Sequence, residues 1–437
     1  MRAVARRCVG TYLRWRSRHL DVAALQAHQR RRVARQLAYL RRHSPFYAEV
    51  LPRGASSLAA APLMDKALMM REFDRINTAG LHRDELVAFR IEQERRQTTE
   101  LFRGRYAVGL SSGTSGNKVL TVLSPRERAR YAALLWARSG IPHHLADPRV
   151  LFALRTNNPA FTAVTTLGVE LVYVDYFVPV DELVRLINDR RLNVVAGPPS
   201  VLTTLAEHHE RLTSPIAAVV SYAEELDDPA RARLAQAFRA PVVELYQGAE
   251  GMLAFTCQAG SLHLNEDVTL VELVDAGDRL GEARQAVVTD LYRRTQPFVR
   301  YQLHDLIELA TGPCDCGSAF RRIRRVHGRA DSILRLSVRG GGEVPLMPDY
   351  VRRSVNQASD AVQEYQVLQW GLDDVEVRLR LGEEADRPAI ESAIRSNLAH
   401  WAARAGGQVP GLRFTGTAPE RDPTSHKLVR VQNRSRR

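Results

Sequence analysis

The stretch from Gly109 to Lys118 has the residue types of a polyphosphate-binding loop. Its ten residues, Gly-Leu-Ser-Ser-Gly-Thr-Ser-Gly-Asn-Lys, contain three glycines, four hydroxyl side chains and one lysine. Glycines let the backbone turn tightly and present N–H groups, and hydroxyls and an ammonium add further contacts to phosphate oxygens. The loop is not a Walker A motif, because two residues rather than four separate Gly113 from Gly116, and Val119 follows the lysine. A surface turn is the alternative for this stretch taken alone.

Glu250 is the candidate magnesium ligand. It ends the segment Tyr246-Gln-Gly-Ala-Glu250, which follows an apolar run predicted to be a strand. In open α/β sheets ligands collect at the carboxyl ends of strands, and a carboxylate beside a phosphate loop is suited to Mg²⁺. The alternative is a strand that ends in a surface turn.

Lysine is scarce in this chain and therefore informative. Only Lys66, Lys118 and Lys427 occur, whereas arginine is used throughout. A chain so biased toward arginine is expected to keep lysine where a compact, mobile ammonium is needed. Chance placement is the alternative explanation for so few residues.

Three cysteines and one histidine could form a metal site. Cys257 and His263 are followed by Cys314-Asp-Cys316, and three thiolates with one imidazole make a closed tetrahedral zinc site if they converge. Reduced cysteines without metal are the alternative that the sequence leaves open. Cys8 is expected to take no part.

Alternating strands and helices must position these residues. From residue 126 to 246 apolar runs alternate with amphipathic helical segments, which indicates parallel sheets covered by helices, an α/β fold. Residues 1–50 read as basic amphipathic helices. Residues 362–404 read as two strands and a helix, which fits a small α+β lid.

Composition narrows the class of protein. The 437 residues carry a net charge of +13, but the arginines are spread along the chain and no nucleic-acid-binding motif accompanies them. We therefore expect no nucleic-acid partner. No apolar run is long enough to span a membrane. Four cysteines without a hydrophobic signal region favour a reducing, cytoplasmic setting.

Five motifs in order resemble those of the adenylate-forming superfamily, in particular its phenylacetate-CoA ligase and coenzyme F390 synthetase-like group. They are the phosphate loop 109–118, the Tyr-Gln-Gly-Ala-Glu segment 246–250, the segment 287–305, the Gly-Arg-Ala-Asp-Ser segment 328–332 and the tail segment 423–430. Some proteins of this group carry a zinc site that resembles the Cys/His arrangement here.

The resemblance implies an ATP site and roles for its residues. The expected phosphate contacts are Ser111, Ser112, Gly113, Thr114, Ser115, Gly116 and Lys118. The other expected nucleotide contacts are Tyr222, Ala223, Glu224, Tyr246, Gln247, Gly248 and Ala249; of these, residues 222–224 match the adenine-side element and Tyr246 is expected to pack near the adenine. Glu250 is expected to hold Mg²⁺, and Asp305 and Arg329 to hold the ribose. Lys427 is expected to bind the carboxylate and the bridging phosphate oxygen.

The resemblance also implies a domain organisation and an activity. Residues 1–327 are expected to form a large nucleotide- and acyl-binding domain, 328–335 a hinge around Asp331, and 336–437 a mobile lid. The expected reaction is ATP-dependent formation of an acyl-AMP from a small-molecule carboxylate, with CoA as the acceptor. Ala249 and His426 depart from the family pattern, at an α-phosphate contact and beside the lysine.

Several points stay open at this stage. AMP transfer to a hydroxyl, amide formation and a non-catalytic relative are alternative functions, and the sequence does not decide on a homodimer. Trp136, Phe152 and Tyr222 are candidates for an acyl pocket that suits an aromatic or apolar acid, and core packing is the alternative for each of them.

Overall fold

The computed structural model describes residues 2–96, 98–110, 119–154, 157–175, 178–224, 226–275, 282–359, 361–421 and 428–435, without the side chains of residues 2–7, 14, 18 and 331. Several predicted site residues lie outside the described residues: Ser111, Ser112, Gly113, Thr114, Ser115, Gly116, Lys118 and Lys427. The side chain of the predicted pivot Asp331 lies outside them too.

The described strands, in chain order, are β1 (Ala107–Leu110), β2 (Leu120–Leu123), β3 (Arg149–Ala153), β4 (Glu170–Val174), β5 (Val194–Gly197), β6 (Ala218–Ser221), β7 (Val242–Gly248), β8 (Gly251–Thr256), β9 (Leu262–Leu264), β10 (Thr269–Val274), β11 (Arg284–Asp290), β12 (Tyr301–Leu309), β13 (Arg322–Arg329), β14 (Leu334–Ser337), β15 (Glu343–Leu346), β16 (Val362–Gly371), β17 (Asp374–Leu381), β18 (Leu412–Thr415) and β19 (Val431–Asn433).

The described α-helices are α1 (Arg2–His19), α2 (Val22–His43), α3 (Pro45–Val50), α4 (Lys66–Arg71), α5 (Phe73–Ile76), α6 (Arg83–Arg96), α7 (Pro125–Arg138), α8 (Pro159–Thr162), α9 (Val180–Arg190), α10 (Pro199–Ala206), α11 (Asp228–Phe238), α12 (Pro348–Asn356) and α13 (Arg387–Ala405). Short 3₁₀ helices lie at Leu58–Ala60, Ala163–Leu167, His209–Arg211 and Ala330–Ser332. No helix among the described residues is both long and apolar enough to cross a membrane.

One large mixed sheet organises the described chain. Its strand order is β10-β11-β12-β13-β9-β8-β7-β6-β5-β3-β4. The pairs from β4 to β7 are parallel and the pairs from β7 to β10 are antiparallel. The predicted α/β fold is therefore confirmed, and its parallel part is the part in which strands and helices alternate in sequence. The antiparallel half comes from consecutive strands, with no helix among the residues described between them.

The parallel strands are buried on both faces. All four residues of β5 are buried, and alternate residues of the neighbouring strands enter two separate apolar clusters. Val150 and Phe152 of β3 pack into one cluster, whereas Leu151 and Ala153 pack into the other. This two-sided burial is typical of parallel sheets covered by helices.

Helices α2 and α3 pack on the antiparallel half. Asp21 caps α2 by accepting a hydrogen bond from the backbone N–H of Ala24, and Val33, Leu37 and Leu40 of α2 are buried. Ser44 ends α2 and begins α3, where Pro45 takes the first helical position. The caps fix where the helices begin and end, and the buried apolar residues pack them against the sheet.

A separate four-stranded sheet lies near the C-terminus, in the order β18-β17-β16-β19. Helices α12 and α13 and the hairpin β14–β15 contribute buried residues to its apolar cluster, among them Leu336, Val351 and Leu398. The two predicted strands and the following helix are β16, β17 and α13.

Candidate active site and metal cluster

Strand pairing brings three predicted nucleotide contacts together. Asp305 of β12 and Arg329 of β13 face each other in the antiparallel register. The phenol of Tyr246, near the end of β7, donates a hydrogen bond to the Asp305 carboxylate. Burial, and then the negative charge of Asp305, raise the pKa of Tyr246 well above its usual value. The phenol therefore stays protonated and remains a donor.

Glu250 lies in the same group. Burial raises the pKa of its carboxyl, Asp305 raises it further, and Arg293 and Arg329 oppose the change. A Cβ at position 248 would collide with Oε2 of Glu250, so glycine at that position lets the carboxylate fold back over the end of β7. The charges of Glu250, Asp305 and Arg329 thus lie close to Tyr246.

The end of β6 contributes the predicted residues 222–224. Ala223 has a left-handed backbone, with φ 68°, which is uncommon for a residue with a side chain and frequent at functional sites. The Glu224 carboxylate accepts hydrogen bonds at 3.2 Å from the backbone N–H and the hydroxyl of Ser200. The phenol of the buried Tyr222 donates to the Ala153 carbonyl at 2.8 Å.

A cavity of about 320 Å³ lies beside these residues. It is lined by Tyr222, Ala223, Gln247 and Ala249, and by Gly109, Leu110, Thr121 and Leu123 of the hairpin β1–β2. The two strands that flank the predicted phosphate loop therefore end at this cavity.

Only one of the three predicted pocket aromatics lines the cavity. Tyr222 does, but the prediction for Trp136 and Phe152 was wrong. Trp136 is 2% exposed and packs against Gly10 of α1, so closely that a Cβ on Gly10 would touch its ring. Phe152 lies behind the lining, with its ring against those of Phe161 and Tyr222. An aromatic residue on the buried face of a helix or strand has the same sequence pattern whether it lines a cavity or packs in the core.

A second, larger cavity of about 1290 Å³ separates the large sheet from the C-terminal sheet. Arg233 and Glu224 line one side, and Arg352, Arg380 and Arg430 line the other. Arg329 lines it as well. Ala223 and Glu224 border both cavities, so the two open toward the same end of β6.

The four predicted metal ligands converge. Ligand atoms of Cys257, His263, Cys314 and Cys316 all lie within 4.8 Å of one another. Cys257 follows β8, His263 lies on β9, and the other two lie in the β12–β13 connection; β9 pairs with both β8 and β13. Antiparallel pairing therefore assembles residues that are far apart in sequence.

The distances and the histidine tautomer suit a tetrahedral metal. The sulfurs of Cys257 and Cys314 are 3.8 Å apart, and Zn–S bonds of about 2.3 Å place ligands of a tetrahedron about 3.8 Å apart. His263 Nδ1 must donate to the Phe320 carbonyl at 2.8 Å, which leaves the Nε2 lone pair facing Cys316 Sγ at 3.4 Å. Such a backbone contact orients metal-binding histidines.

The thiols of the cluster differ in acidity. Burial opposes ionisation of Cys314, but hydrogen bonds, chiefly from the Cys316 backbone N–H and from Ser261, lower its pKa to about 6. Burial raises the pKa of Cys316 to about 12. The thiolate is the form that binds a metal, and the hydrogen bonds to Cys314 favour that form.

Sequence reasoning missed the polar walls of the first cavity. Tyr131 donates to Gln247 Oε1 at 2.8 Å, and the buried Arg293 donates to the Ala249 carbonyl at 2.8 Å. Arg90 and Arg130 also line the cavity. Of the four missed residues, Arg90, Arg130, Tyr131 and Arg293, Arg293 alone lies within a motif recognised from sequence, and nothing in the sequence marks the other three.

Comparison with known proteins supports the family resemblance. No protein-family model matches the chain. A phenylacetate-coenzyme A ligase of Thermus thermophilus is 26% identical over 394 residues, which cover 82% of each chain. A solved 2-hydroxyisobutyryl-CoA ligase, in the postadenylation state with R3-HIB-AMP, superposes with a TM-score of 0.70 and 16% identity, over 97% of this chain and 92% of that one.

A third comparison gives the same fold. The anthranilate CoA ligase AuaEII, solved with anthranoyl-AMP, covers 74% of this chain and 65% of its own with a TM-score of 0.53 and 16% identity. The chain thus has the adenylate-forming fold and is a relative of a phenylacetate-CoA ligase. The recognition made from the motifs, and the enzyme class of adenylate-forming ligases that it implied, are confirmed.

Proposed function

We propose that the chain activates a carboxylic acid with ATP and transfers the resulting acyl group to CoA. The observation that carries the proposal is the grouping of Tyr246, Glu250, Asp305 and Arg329 at the end of β7, beside a cavity suited to a small acid. The similarity to CoA ligases, one of them solved with an acyl-AMP, supports it.

In the proposed reaction a carboxylate oxygen attacks the α-phosphorus of ATP, forming the acyl–phosphate bond as the bond to pyrophosphate breaks. Glu250 would hold Mg²⁺, which neutralises phosphate charge. Asp305 and Arg329 would hold the ribose. The proposed phosphate contacts, outside the described residues, are Ser111, Ser112, Gly113, Thr114, Ser115, Gly116 and Lys118.

Lys427 is proposed to stabilise the transition state. A positioned cation there is worth about 10²–10³ in rate if it resembles an oxyanion-hole donor. The supporting observation is that Leu428 to Val431, which follow it directly, line the large cavity together with Arg329.

We propose the domain division 1–327, hinge 328–335 and lid 336–437. The separate apolar cluster built from residues of β14 to β19 supports a lid that folds around its own core. The large cavity between the two sheets supports a site that changes as the lid rotates about Asp331. In this proposal the rotation admits the CoA thiol to the acyl-AMP.

The Cys/His cluster is proposed to bind structural zinc through Cys257, His263, Cys314 and Cys316. Four protein ligands close the coordination sphere, so zinc there would crosslink β8, β9 and the β12–β13 connection rather than activate water.

Pyrophosphate–ATP exchange with pools of aryl, short-chain and long-chain carboxylates tests the adenylation step. We expect one pool to support exchange in the wild type, and Lys427→Ala to abolish it. Lys66→Ala removes another of the three lysines and is the matched control. Absence of exchange with every acid would contradict the proposal and favour AMP transfer to a hydroxyl or a non-catalytic relative.

The acceptor needs its own measurement. Thioester formation from the active acid, ATP and CoA supports the ligase proposal, whereas an amide formed only with an amine acceptor contradicts it. A homodimer also stays an expectation, and sedimentation velocity at two protein concentrations tests it.

A further inference from the structure

The 320 Å³ cavity has walls that fit an apolar or aromatic body. Tyr131, Phe161 and Tyr222 line it, together with Leu134 and Met252. An aromatic ligand in the cavity would bury its surface against these rings. The walls alone do not distinguish one apolar acid from another, so the charged side chains of the lining carry more information.

Three arginines line the cavity, and two of them have their charge compensated. Arg90 lies 3.5 Å from Glu94 and also donates to Gln93 and to the Asn157 carbonyl. Arg293 is buried among the carboxylates of Asp290, Glu127 and Glu250. These two arginines hold the structure of the wall together.

Arg130 is the third arginine, and no carboxylate of the described residues lies within 4.0 Å of its guanidinium. It is exposed, and its guanidinium stacks 3.7 Å from the centre of the Tyr292 ring, which also lines the cavity. Arg32 of α2 stacks on the same ring at 3.7 Å. Two guanidiniums at that distance must take opposite faces, so the ring is held between two cations.

Further positive charge lies nearby. Burial lowers the pKa of Arg32, and the charges of Arg130, Arg294 and Arg35 lower it further. Among the described residues, no carboxylate lies within 4.0 Å of the guanidinium of Arg35, Arg130 or Arg294. Glu127, one turn before Arg130 on α7, is already engaged: it accepts the backbone N–H groups of Arg294 and Thr295 at 2.6 and 2.9 Å.

We infer that the acid substrate carries a second anionic group, which Arg130 binds at the wall of the cavity. A guanidinium at the cavity wall that no carboxylate of the described residues contacts can bind an anion, and its planar shape matches a carboxylate or a phosphate. This inference rests on the proposed adenylation and adds the substrate class: a dianionic acid with an apolar or aromatic body. The polyphosphate of ATP is the other source of the same anionic chemistry.

Pairs of acids that differ by one carboxylate distinguish a second anionic group on the acid from the polyphosphate of ATP. We would measure exchange with phenylacetate against 4-carboxyphenylacetate and with hexanoate against adipate, in the wild type, Arg130→Met and Arg130→Lys. The wild type is expected to favour each dianion by about tenfold or more in kcat/KM, the scale of a charged hydrogen bond. Arg130→Met is expected to lose that preference without a change in the KM for ATP, and Arg130→Lys to keep part of it.

Arg31→Met is the matched control, because it removes one exposed arginine from α2 that does not line the cavity. It is expected to behave as the wild type. Equal use of both acids of each pair by the wild type would overturn the inference. So would a raised KM for ATP in Arg130→Met with every acid, which would assign Arg130 to the polyphosphate.

A binding measurement tests the inference independently of the proposed reaction. Stabilisation of the wild type against heat by 4-carboxyphenylacetate without ATP, lost in Arg130→Met, supports the inference even if no acid supports exchange. Exchange with monoanions and no binding preference for dianions would leave adenylation standing and overturn the inference alone.

Discussion

The Tyr246 phenol donates a hydrogen bond to the Asp305 carboxylate, across 59 residues of sequence. The contact joins the end of β7 to β12, next to Arg329 on β13. Because burial keeps the phenol protonated, it fixes the orientation of a carboxylate that we propose to bind the ribose. The tyrosine therefore acts through the aspartate in addition to its expected place at the adenine.

Tyr246→Phe is expected to raise the KM for ATP about tenfold, because a hydrogen bond to a charged group contributes about 1.5–3 kcal/mol. The KM for the acid is expected to change little. Steady-state exchange kinetics measure both. Tyr12→Phe, at a residue 55% exposed on α1, is the control. An unchanged KM for ATP would show that the phenol does not position Asp305.

Gly248→Ala is expected to lower exchange activity by at least about tenfold with little loss of stability. The added methyl would collide with the Glu250 carboxylate, which is a flexible group and will move away rather than disrupt the strand. The displaced carboxylate would no longer hold Mg²⁺, so the concentration of Mg²⁺ for half-maximal exchange is expected to rise. Gly416→Ala, where a Cβ meets nothing within 4 Å, is the control. Unaltered Mg²⁺ dependence would argue against Glu250 as the ligand.

Purified protein is expected to contain one zinc per chain, and Cys314→Ser to lose it together with several kcal/mol of stability, because binding to a closed site contributes to folding. Elemental analysis and chemical denaturation measure the two effects. Cys8→Ser, at an exposed cysteine, is expected to change neither. Protein that holds no zinc and tolerates Cys314→Ser would leave the cluster as reduced thiols.

The helices and strands whose own residues show a buried face or an apolar run could be predicted from the sequence. Helix α9 shows its buried stripe at Leu183, Val184 and Ile187, and β5 is an apolar run between turns. The candidate site residues at the end of β7 could be proposed from sequence because a strand end and a recognisable motif coincide there. Local periodicity is enough for such elements because one buried face decides each of them.

Contacts between distant residues could not be predicted in this way. The Gln36 side chain donates to the carbonyl of Arg293, and Arg32 donates to that of Leu291, so α2 holds the segment that lines the first cavity. In sequence both residues read as the polar face of a basic helix. The way the helix docks decides which of its polar side chains face the rest of the protein. The periodicity of the helix sequence carries no information about that docking.

Asp267→Asn is expected to destabilise the fold by about 3–5 kcal/mol, because removing one partner leaves the other charge buried and unpaired. The carboxylate lies 2.8 Å from Arg138, both side chains are 1% exposed, and Arg16 of α1 reaches it at 3.2 Å. Denaturant unfolding measures the loss. The contrasting control is Glu85→Gln, whose pair with Arg103 is about half exposed on both sides, for which less than about 1 kcal/mol is expected. Equal effects would mean that the buried pair is not a distinct anchor for α1 and α7.

His327 is expected to make the protein less stable in mild acid. Its ring is buried on β13, with Nε2 3.0 Å from a Glu308 carboxylate oxygen and Nδ1 without a hydrogen-bond partner among the described residues. The carboxylate accepts, so Nε2 carries the proton of the neutral ring. A second proton on the ring would create a buried Nδ1–H donor without a hydrogen-bond partner among the described residues.

Burial accordingly lowers the pKa of His327, although Glu308 and Asp349 oppose the change. Between that lowered pKa and the value of about 6.5 in the unfolded chain, the unfolded state binds more protons. The free energy of unfolding therefore rises with pH through this window, is fully present above it, and is lost as the pH falls.

Urea unfolding at pH 7.5 and pH 5.5 measures this effect. His327→Gln is expected to lose less stability between the two pH values than the wild type does. His28, whose pKa burial also lowers, keeps part of the pH dependence in the variant. His144→Gln, at an exposed histidine, is the control and should follow the wild type. If His327→Gln loses as much stability on acidification as the wild type, the folded protein accommodates the charged ring, and the acid sensitivity must come from other groups.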